Sequence, residues 1–416
     1  MRNEKRDGYY KTEVGWIPTE WGCDRLLEHT LKIGSGVTPT GGEAVYESQG
    51  ITFIRSQNIL IGEFTKKGLA YIPSYVHDEM QNSKVIPGDV LYNITGASIG
   101  RCCLFPQDLK EANVNQHVCI IRPTRELTAD FLMQVLNSSL GERQLYQSQA
   151  GGGRQGLNYK NLGAFYMPFP SFDEQQKISQ ILSTWDRTIE RVQRLIEARQ
   201  RQKARLVSRL LSGQMRFPGF QDEWQQVKLG TFLHPKFRKV VKPAGAYLRL
   251  GIRSHGKGTF TSVVDDPETI ALTHLFQARK DDLIVNITFA WEGAIALVGP
   301  DGDGALVSHR FPTYVFDTSK MLPEYFKHLM VTDRFFYELD LISPGGAGRN
   351  RVMNKGDFLK ITVTIPGVKE QKKIAGVLGG MDEQIGLLKK YLEKLKKQKN
   401  GLMQKLLTGE IRVKVD

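Results

Sequence analysis

The chain has 416 residues, 40% of them apolar, which is enough for two to four domains that each bury a core. Its formal net charge of +13 favours a polyanionic partner, nucleic acid first, although an ordinary basic protein has the same balance. No stretch approaches the roughly 20 apolar residues of a membrane helix, and the charged opening MRNEKRDGYYKTEVGWIP lacks the apolar core of a secretory signal, so a cytoplasmic protein with no membrane partner is expected.

In chain order, ITFIRSQNI (51–59), DVLYNIT (89–95) and VCIIRP (118–123) read as short strands: β-branched, apolar and bounded by turn residues. ADFLMQVLNSSLGERQLY (129–146) has helical spacing. Next comes a heptad seam: Ile178, Leu182, Trp185, Ile189, Val192, Ile196, then Leu206 and Leu210. Ser171 with Glu174 forms a capping box at its start, and Gly213 stands where a helix would end. The second half offers DLIVNIT (282–288), TYVF (313–316) and the helical PEYFKHLMVTDRFFYEL (323–339). A second seam follows through Ile374, Leu378, Met381, Ile385, Leu388, Leu392, Leu395, Leu402 and Leu406, closed by Gly409.

Each long helix is expected to span about 36 residues, roughly 55 Å at 1.5 Å per residue. Two such stripes in one chain can cover each other, and antiparallel pairing would put the globular parts at opposite ends. Arg199 with Lys203, and Lys399, interrupt the seams; they either fix register or mark frayed ends. The helices' outer faces carry Arg187, Arg191, Arg194, Arg201, Arg205 and Arg209, then Lys389, Lys390, Lys394, Lys396 and Lys397. These make either a solvated face or one turned to phosphates or an acidic partner.

The halves are copies. Glu20-Trp21 recurs as Glu223-Trp224, and GDVLYNITGASIG (88–100) as DDLIVNITFAWEG (281–293). Gly151-Gly152-Gly153-Arg154 answers to Gly345-Gly346-Ala347-Gly348-Arg349. Pro170 with Glu174-Gln175 answers to Pro366 with Glu370-Gln371, and Leu210-Leu211-Ser212-Gly213 to Leu406-Leu407-Thr408-Gly409. The segment 26–88 is longer than its partner 229–281 and least like it. That divergence reflects either two different recognition tasks or drift.

Catalytic signatures are missing. There is no G-x-x-x-x-G-K-[ST], no G-x-G-x-x-G after a strand, no nucleophile elbow and no zinc-deaminase pattern. Cys23, Cys102, Cys103 and Cys119 form no C-x-x-C pair or zinc-spaced set, and we read them as reduced thiols. A methyltransferase's cofactor loop and N-P-P-F-like motif are absent. Glu370-Gln371-Lys372 has a nuclease-like E-x-K spacing but falls at a helix start, where an acidic residue is favourable anyway. No catalysis is expected.

Two diverged domains, each followed by a similar long helix, resemble the specificity subunit of Type I restriction–modification systems. The local carriers of the likeness are Gly88-Asp89-Val90-Leu91 through Thr95-Gly96-Ala97-Ser98-Ile99-Gly100, then Asn115-Gln116-His117-Val118, Gly153-Arg154-Gln155-Gly156-Leu157-Asn158, and P-x-x-x-E-Q-x-x-I before each helix. The second domain departs from this pattern, with Ser308-His309-Arg310 for Asn115-Gln116-His117 and Phe289-Ala290-Trp291 for Gly96-Ala97-Ser98. The resemblance implies an α+β fold with two tandem target recognition domains (1–170 and 214–366) and two spacer helices (171–213 and 367–416, the latter with its tail) pairing as an antiparallel coiled coil. It implies double-stranded DNA, two methyltransferase subunits and motor–nuclease subunits as partners. S-adenosylmethionine, ATP and Mg²⁺ would sit on those partners, with no cofactor or metal on this chain.

Arg reads guanine in a bidentate way and Asn or Gln reads adenine. The DNA-contacting candidates in the first domain are therefore Arg55, Gln57, Asn58, Gln116, His117, Arg154, Gln155, Asn158 and Tyr159. In the second they are Arg249, Arg253, Ser254, His255, Lys257, His309, Arg310, Arg349, Asn350 and Arg351. Asn93 and Asn286 are read as structural. The competing functional reading is a non-enzymatic coiled-coil adaptor that binds two protein partners.

Overall fold

The computed structural model describes residues 6–149, 156–345 and 351–415. The chain forms two compact units, residues 1–194 with 390–416, and residues 195–389. Each long helix therefore contributes a part to each unit.

The first unit is built around the strand Val90–Asn93, whose four residues are all buried, as expected for a strand covered on both faces. It lies in a four-stranded antiparallel sheet ordered Thr30–Ser35, Val118–Pro123, Val90–Asn93, Cys102–Leu104. A second sheet is ordered Ala70–Ile72, Ile51–Ile54, Ala112–Val114, Lys84–Val85, with Ala112–Val114 parallel to Ile51–Ile54. The helix Ala129–Leu136 packs Phe131, Leu132 and Val135 into the core, and Ser139–Gln149 follows it.

The second unit repeats this plan. Leu283–Val285 stands for Val90–Asn93, in a sheet ordered Leu233–Pro235, Thr313–Phe316, Leu283–Val285, Ile295–Leu297. Helices Pro323–Leu329 and Asp333–Leu341 take the places of the earlier pair. The diverged early segment differs in structure as well. Here it supplies four strands of a five-stranded sheet, with the hairpin Tyr247–Ile252/Thr259–Val264 at its edge; Leu306–Val307 is the fifth.

The long helices, Phe172–Leu211 and Val368–Leu407, have 40 residues each, four more than the periodicity implied. They pair antiparallel. In the first unit Lys399 Nζ donates to Asp186 Oδ1 at 2.5 Å, and in the second Lys203 Nζ donates to Asp382 Oδ1 at 2.5 Å. The two pairs are copies of one another, so the breaks at Lys203 and Lys399 are interhelical ion pairs, whereas Arg199 is exposed and donates to Gln202 on its own helix. The seams are also not uniform coiled coil. Ile178, Leu182 and Leu406 belong to the first unit's core, and Leu210, Ile374 and Leu378 to the second's.

The repeated Glu-Gln at each helix start fastens helix to domain. In the second unit the buried Glu370 accepts from Arg216 Nε and Nη2 (3.0 and 2.8 Å) and from Trp224 Nε1 (3.2 Å). In the first, the buried Glu174 accepts from Arg412 Nε (2.8 Å) and Trp21 Nε1 (3.2 Å). Gln371 donates to the carbonyls of Lys320 and Pro366 and accepts from Leu322 N. Gln175 does the same with Glu126, Pro170 and Thr128 N. Removing one side of a buried, paired charge typically costs about 3–5 kcal/mol. Glu370→Ala should therefore destabilise the second unit by about 3 kcal/mol in a denaturant titration, whereas Lys372→Ala, at an exposed site, should leave the midpoint unchanged.

Beneath the two ion pairs the copies diverge. Gln134 Nε2 donates to Asp186 at 3.0 Å, but the residue in its place is His328, with Nδ1 3.9 Å from Asp382. His328 is buried, and its Nε2 has no partner among the described residues. Burial, then Lys327 and Lys203, push its pKa down to about 4 from 6.5, with Asp382 opposing. The folded state thus holds a neutral ring where the unfolded chain would take up a proton as pH falls below 6.5. Stability should fall as pH drops from 6.5 towards 4 and be retained above it. His328→Gln, which copies the first unit, should flatten that slope in thermal melts; equal slopes for both proteins would assign the effect elsewhere.

Candidate nucleic-acid interface

One edge of the first unit gathers turns that are far apart in sequence. Asn115 N donates to Ile54 O at 3.0 Å, setting the 115–117 turn beside the short 3₁₀ turn Ser56–Asn58. The fully buried Asn93 donates through Nδ2 to Ser56 O (2.9 Å) and to Ser98 Oγ (3.1 Å), which ties in the turn after its strand. His117 Nδ1 lies 2.6 Å from Thr95 Oγ1, and Thr95 forms a β-bridge with Gly156. Thr38 Oγ1 donates to Gln116 Oε1. Residues 55–58, 95–98, 115–117 and 156–159 therefore share one face.

On that face Gln57, Gln116, Asn158 and Tyr159 are exposed. Arg55 donates to Gly68 O at 2.9 Å, with its guanidinium 5.7 Å from the Tyr46 ring centre. Gln57 reaches the same carbonyl at 3.1 Å. Asn158 caps the helix Tyr159–Gly163 by accepting from Asn161 N at 2.7 Å. Asn58 differs from its neighbours: it is fully buried, accepts from Arg55 N, and donates to Thr65 O and Lys67 O. Its amide shapes the loop and has no exposed surface. Arg154 and Gln155 lie outside the described residues, as do Arg349 and Asn350.

In the second unit the face centres on the 253–258 turn of the long hairpin. His255 takes a left-handed φ of 60°, unusual for a residue with a β-carbon. The turn is bolted to the loop after Leu283–Val285: His255 N donates to Glu292 O (2.7 Å), Gly256 N to Gly293 O (2.9 Å) and Ser254 Oγ to Glu292 Oε2 (2.8 Å). Arg253 lies 5.0 Å over the Phe260 ring and donates to Thr259 O. Arg249, Lys257 and His309 are exposed. Arg310 reaches Thr288 Oγ1 at 3.2 Å, and His309 O accepts from Lys355. Arg351 is committed elsewhere: it donates to Ser343 O and Asp340 O, pairs with the Asp340 carboxylate at 2.7 Å, and stacks 5.1 Å over Trp291. It closes the end of the helix Asp333–Leu341.

Sequence reading overlooked Thr38, Thr95, Thr288 and Glu292, which these faces bring beside the candidates. Two belong to the repeated Asn-Ile-Thr, a signal that was visible but was attributed to the strand. Asn286 accepts from Thr288 N at 3.1 Å, so both repeated asparagines shape the turn that follows them. The nuclease-like Glu370 has both oxygens engaged by Arg216 and Trp224. Among the described residues no helix is long and apolar enough to cross a membrane.

Two tandem α+β domains on an antiparallel helix pair, each presenting a cationic and amide-rich loop face, define a bipartite recognition scaffold. Comparison with known proteins shows what this scaffold is similar to. Residues 31–200 match the model of the Type I restriction modification DNA specificity domain. The putative type I restriction enzyme MjaX specificity subunit of Methanocaldococcus jannaschii is 22% identical over 99% of this chain and 98% of its own length. The MjaVIII specificity subunit of the same organism is 23% identical over 68% of this chain and 71% of its own. The solved Type-I restriction-modification S subunit from M. genitalium shares the fold at a TM-score of 0.57 and 14% identity, over 93% of this chain and 96% of that one. Over nearly its whole length the chain is similar to specificity subunits of Type I restriction–modification systems.

Leaving a buried polar group without its partner costs about 1–3 kcal/mol. Asn58→Ala strands the Thr65 and Lys67 carbonyls and the Arg55 amide, so a loss of about 2 kcal/mol is expected on denaturation. Gln57→Ala, at an exposed site on the same turn, should be neutral for stability.

Proposed function

We propose that this chain reads a two-part double-stranded DNA site, one half with each domain, and contributes specificity and no catalysis to a methylation and restriction complex. The observation that carries the reading is the contrast between repeat and face. The Glu-Gln clamps at the helix starts, the Asp–Lys pairs and the central strands recur at corresponding positions, while the turns at the same edge of each copy differ in sequence, charge and shape. That pattern fits two readers of different sequences on one scaffold.

The working division is into recognition domains 1–170 and 214–366, with spacer segments 171–213 and 367–416. Two methyltransferase subunits dock on the duplicated scaffold, and a motor–nuclease subunit joins for restriction. S-adenosylmethionine, ATP and Mg²⁺ are held by those partners, where the target adenine is flipped out of the duplex. The complex works in the cytoplasm. Lys and Arg on phosphates supply salt-sensitive affinity, and a few side chains at base edges supply sequence choice.

In the first domain the readers are Gln57, Gln116, His117 and Tyr159, with Arg55, Asn158 and the 154–155 segment beside them. Asn58 acts behind them as support. In the second domain they are Arg249, Arg253, Ser254, His255, Lys257, His309 and Arg310, with residues 349–350; Arg351 serves as support. Arg249 is exposed on the hairpin strand and suits bidentate reading of guanine.

The test is to co-express the chain with a methyltransferase subunit and map methylated adenines across a genome. A split motif is expected. Arg249→Ala should relax one base position in one half only, costing about 1–3 kcal/mol of discrimination there. Absence of any motif, with DNA binding insensitive to salt, would instead favour the protein-adaptor reading.

A further inference from the structure

The two units differ at one place on the scaffold itself. In the first, the hairpin Tyr9–Thr12/Gly15–Pro18 packs against Trp21, the partner of Glu174, with the Tyr10 hydroxyl donating to Trp21 O. Its Val14 and Ile17 are buried in one core with Trp21, Leu140, Met403 and Leu407. Arg143 Nη2 donates to Val14 O at 3.2 Å, and the Tyr9 hydroxyl donates to Gly409 O at 2.9 Å. Met403 and Leu407 are 7% and 0% exposed beneath it.

The second unit repeats the walls without the cover. Aligning Gly213 with Gly409 sets Val207 and Leu211 where Met403 and Leu407 stand, and Trp224 corresponds to Trp21. No hairpin lies over them among the described residues. All three are half-buried, and they floor a groove of about 830 Å³ whose other walls include Val331, Phe335 and Ile385. Arg334 stands at its rim in the place of the buried Leu140.

The surroundings narrow the choice of occupant. A second copy of this chain would have to pull Val14 and Ile17 from their own core to fill the groove, with no net gain of burial. A subunit that docks alike on both halves would need both grooves open, and the first is closed. The rim carries Arg334 and Lys389 with Asp333 and Glu338. These charges complement a segment of alternating sign such as Lys11 and Glu13, the exposed neighbours of Val14. We propose that the groove receives a turn-forming segment of a different protein, bound once per chain, which inserts two aliphatic side chains as Val14 and Ile17 do in the first unit. This follows from the duplication and does not depend on the DNA-reading role.

The probe is a fluorescein-labelled peptide of residues 8–19, closed by a disulfide between added terminal cysteines and titrated into the full chain by anisotropy. One saturable site is expected. Leu211→Arg should weaken it at least about tenfold, and Arg334→Leu, which restores the chemistry of Leu140, should tighten it. If Leu211→Arg lowers the melting temperature, Val331→Arg at the exposed rim gives the same reading on a folded protein. Absence of saturable binding would overturn the proposal, as would binding indifferent to the substitutions. A wild-type dimer that Leu211→Arg dissociates would also overturn it, by assigning the groove to a second copy.

Discussion

The buried carboxylates Glu174 and Glu370 are the fixed points of this molecule. Each sits in the first turn of a 40-residue helix, where the helix dipole favours a negative charge. Each is nearly inaccessible to water, a position that a carboxylate tolerates only with donors around it. The donors come from elsewhere in the chain: a tryptophan just before the domain's first core strands, and an arginine just past the end of the other long helix. One ionised group thus joins helix start, domain entrance and returning helix end. The adjacent glutamine, bonded to three backbone groups, fixes the angle at which the domain's first covering helix meets the long one.

This arrangement explains why the two units can share a frame while their outer turns differ. The clamp, the Asp–Lys pairs and the strand cores use side chains that face inward, and each is copied. The candidate reading turns follow the central strands Val90–Asn93 and Leu283–Val285 and contain none of the clamp residues. The Asp–Lys pairs set the helices' register. A shift of either helix by one residue would separate Asp186 from Lys399 and Asp382 from Lys203 together.

Much of this was legible in sequence because it was written twice. The repeats of Glu-Trp, Asn-Ile-Thr, Glu-Gln and the terminal Leu-Leu-x-Gly marked both domain frames and both helices, and the seams implied antiparallel pairing. What stayed hidden depended on partners far along the chain. Arg412 gave no signal of its own, since Glu174 lies 238 positions earlier. Asn58 had the composition of a base reader, but the loop returning through Thr65 and Lys67 buries it. Arg351 has the look of a phosphate contact until the end of the helix Asp333–Leu341 is in view. The seam pattern also could not separate helix-on-helix contacts from helix-on-domain contacts, because both place an apolar residue at the same spacing.

The fate of those arginines and amides bears on how a recognition face should be read. On a basic protein, residue type alone selects too many candidates, since Arg and Asn close turns and helix ends as readily as they meet DNA. Accessibility and prior commitment separate the two uses. A guanidinium that already holds two carbonyls and a carboxylate, as Arg351 does, would have to break those bonds before it could bind a base. Arg249 projects from a strand with its surface open. Exposed and committed side chains stand side by side in these loops, and buried amides such as Asn58 and Asn93 hold the backbone that carries the exposed ones.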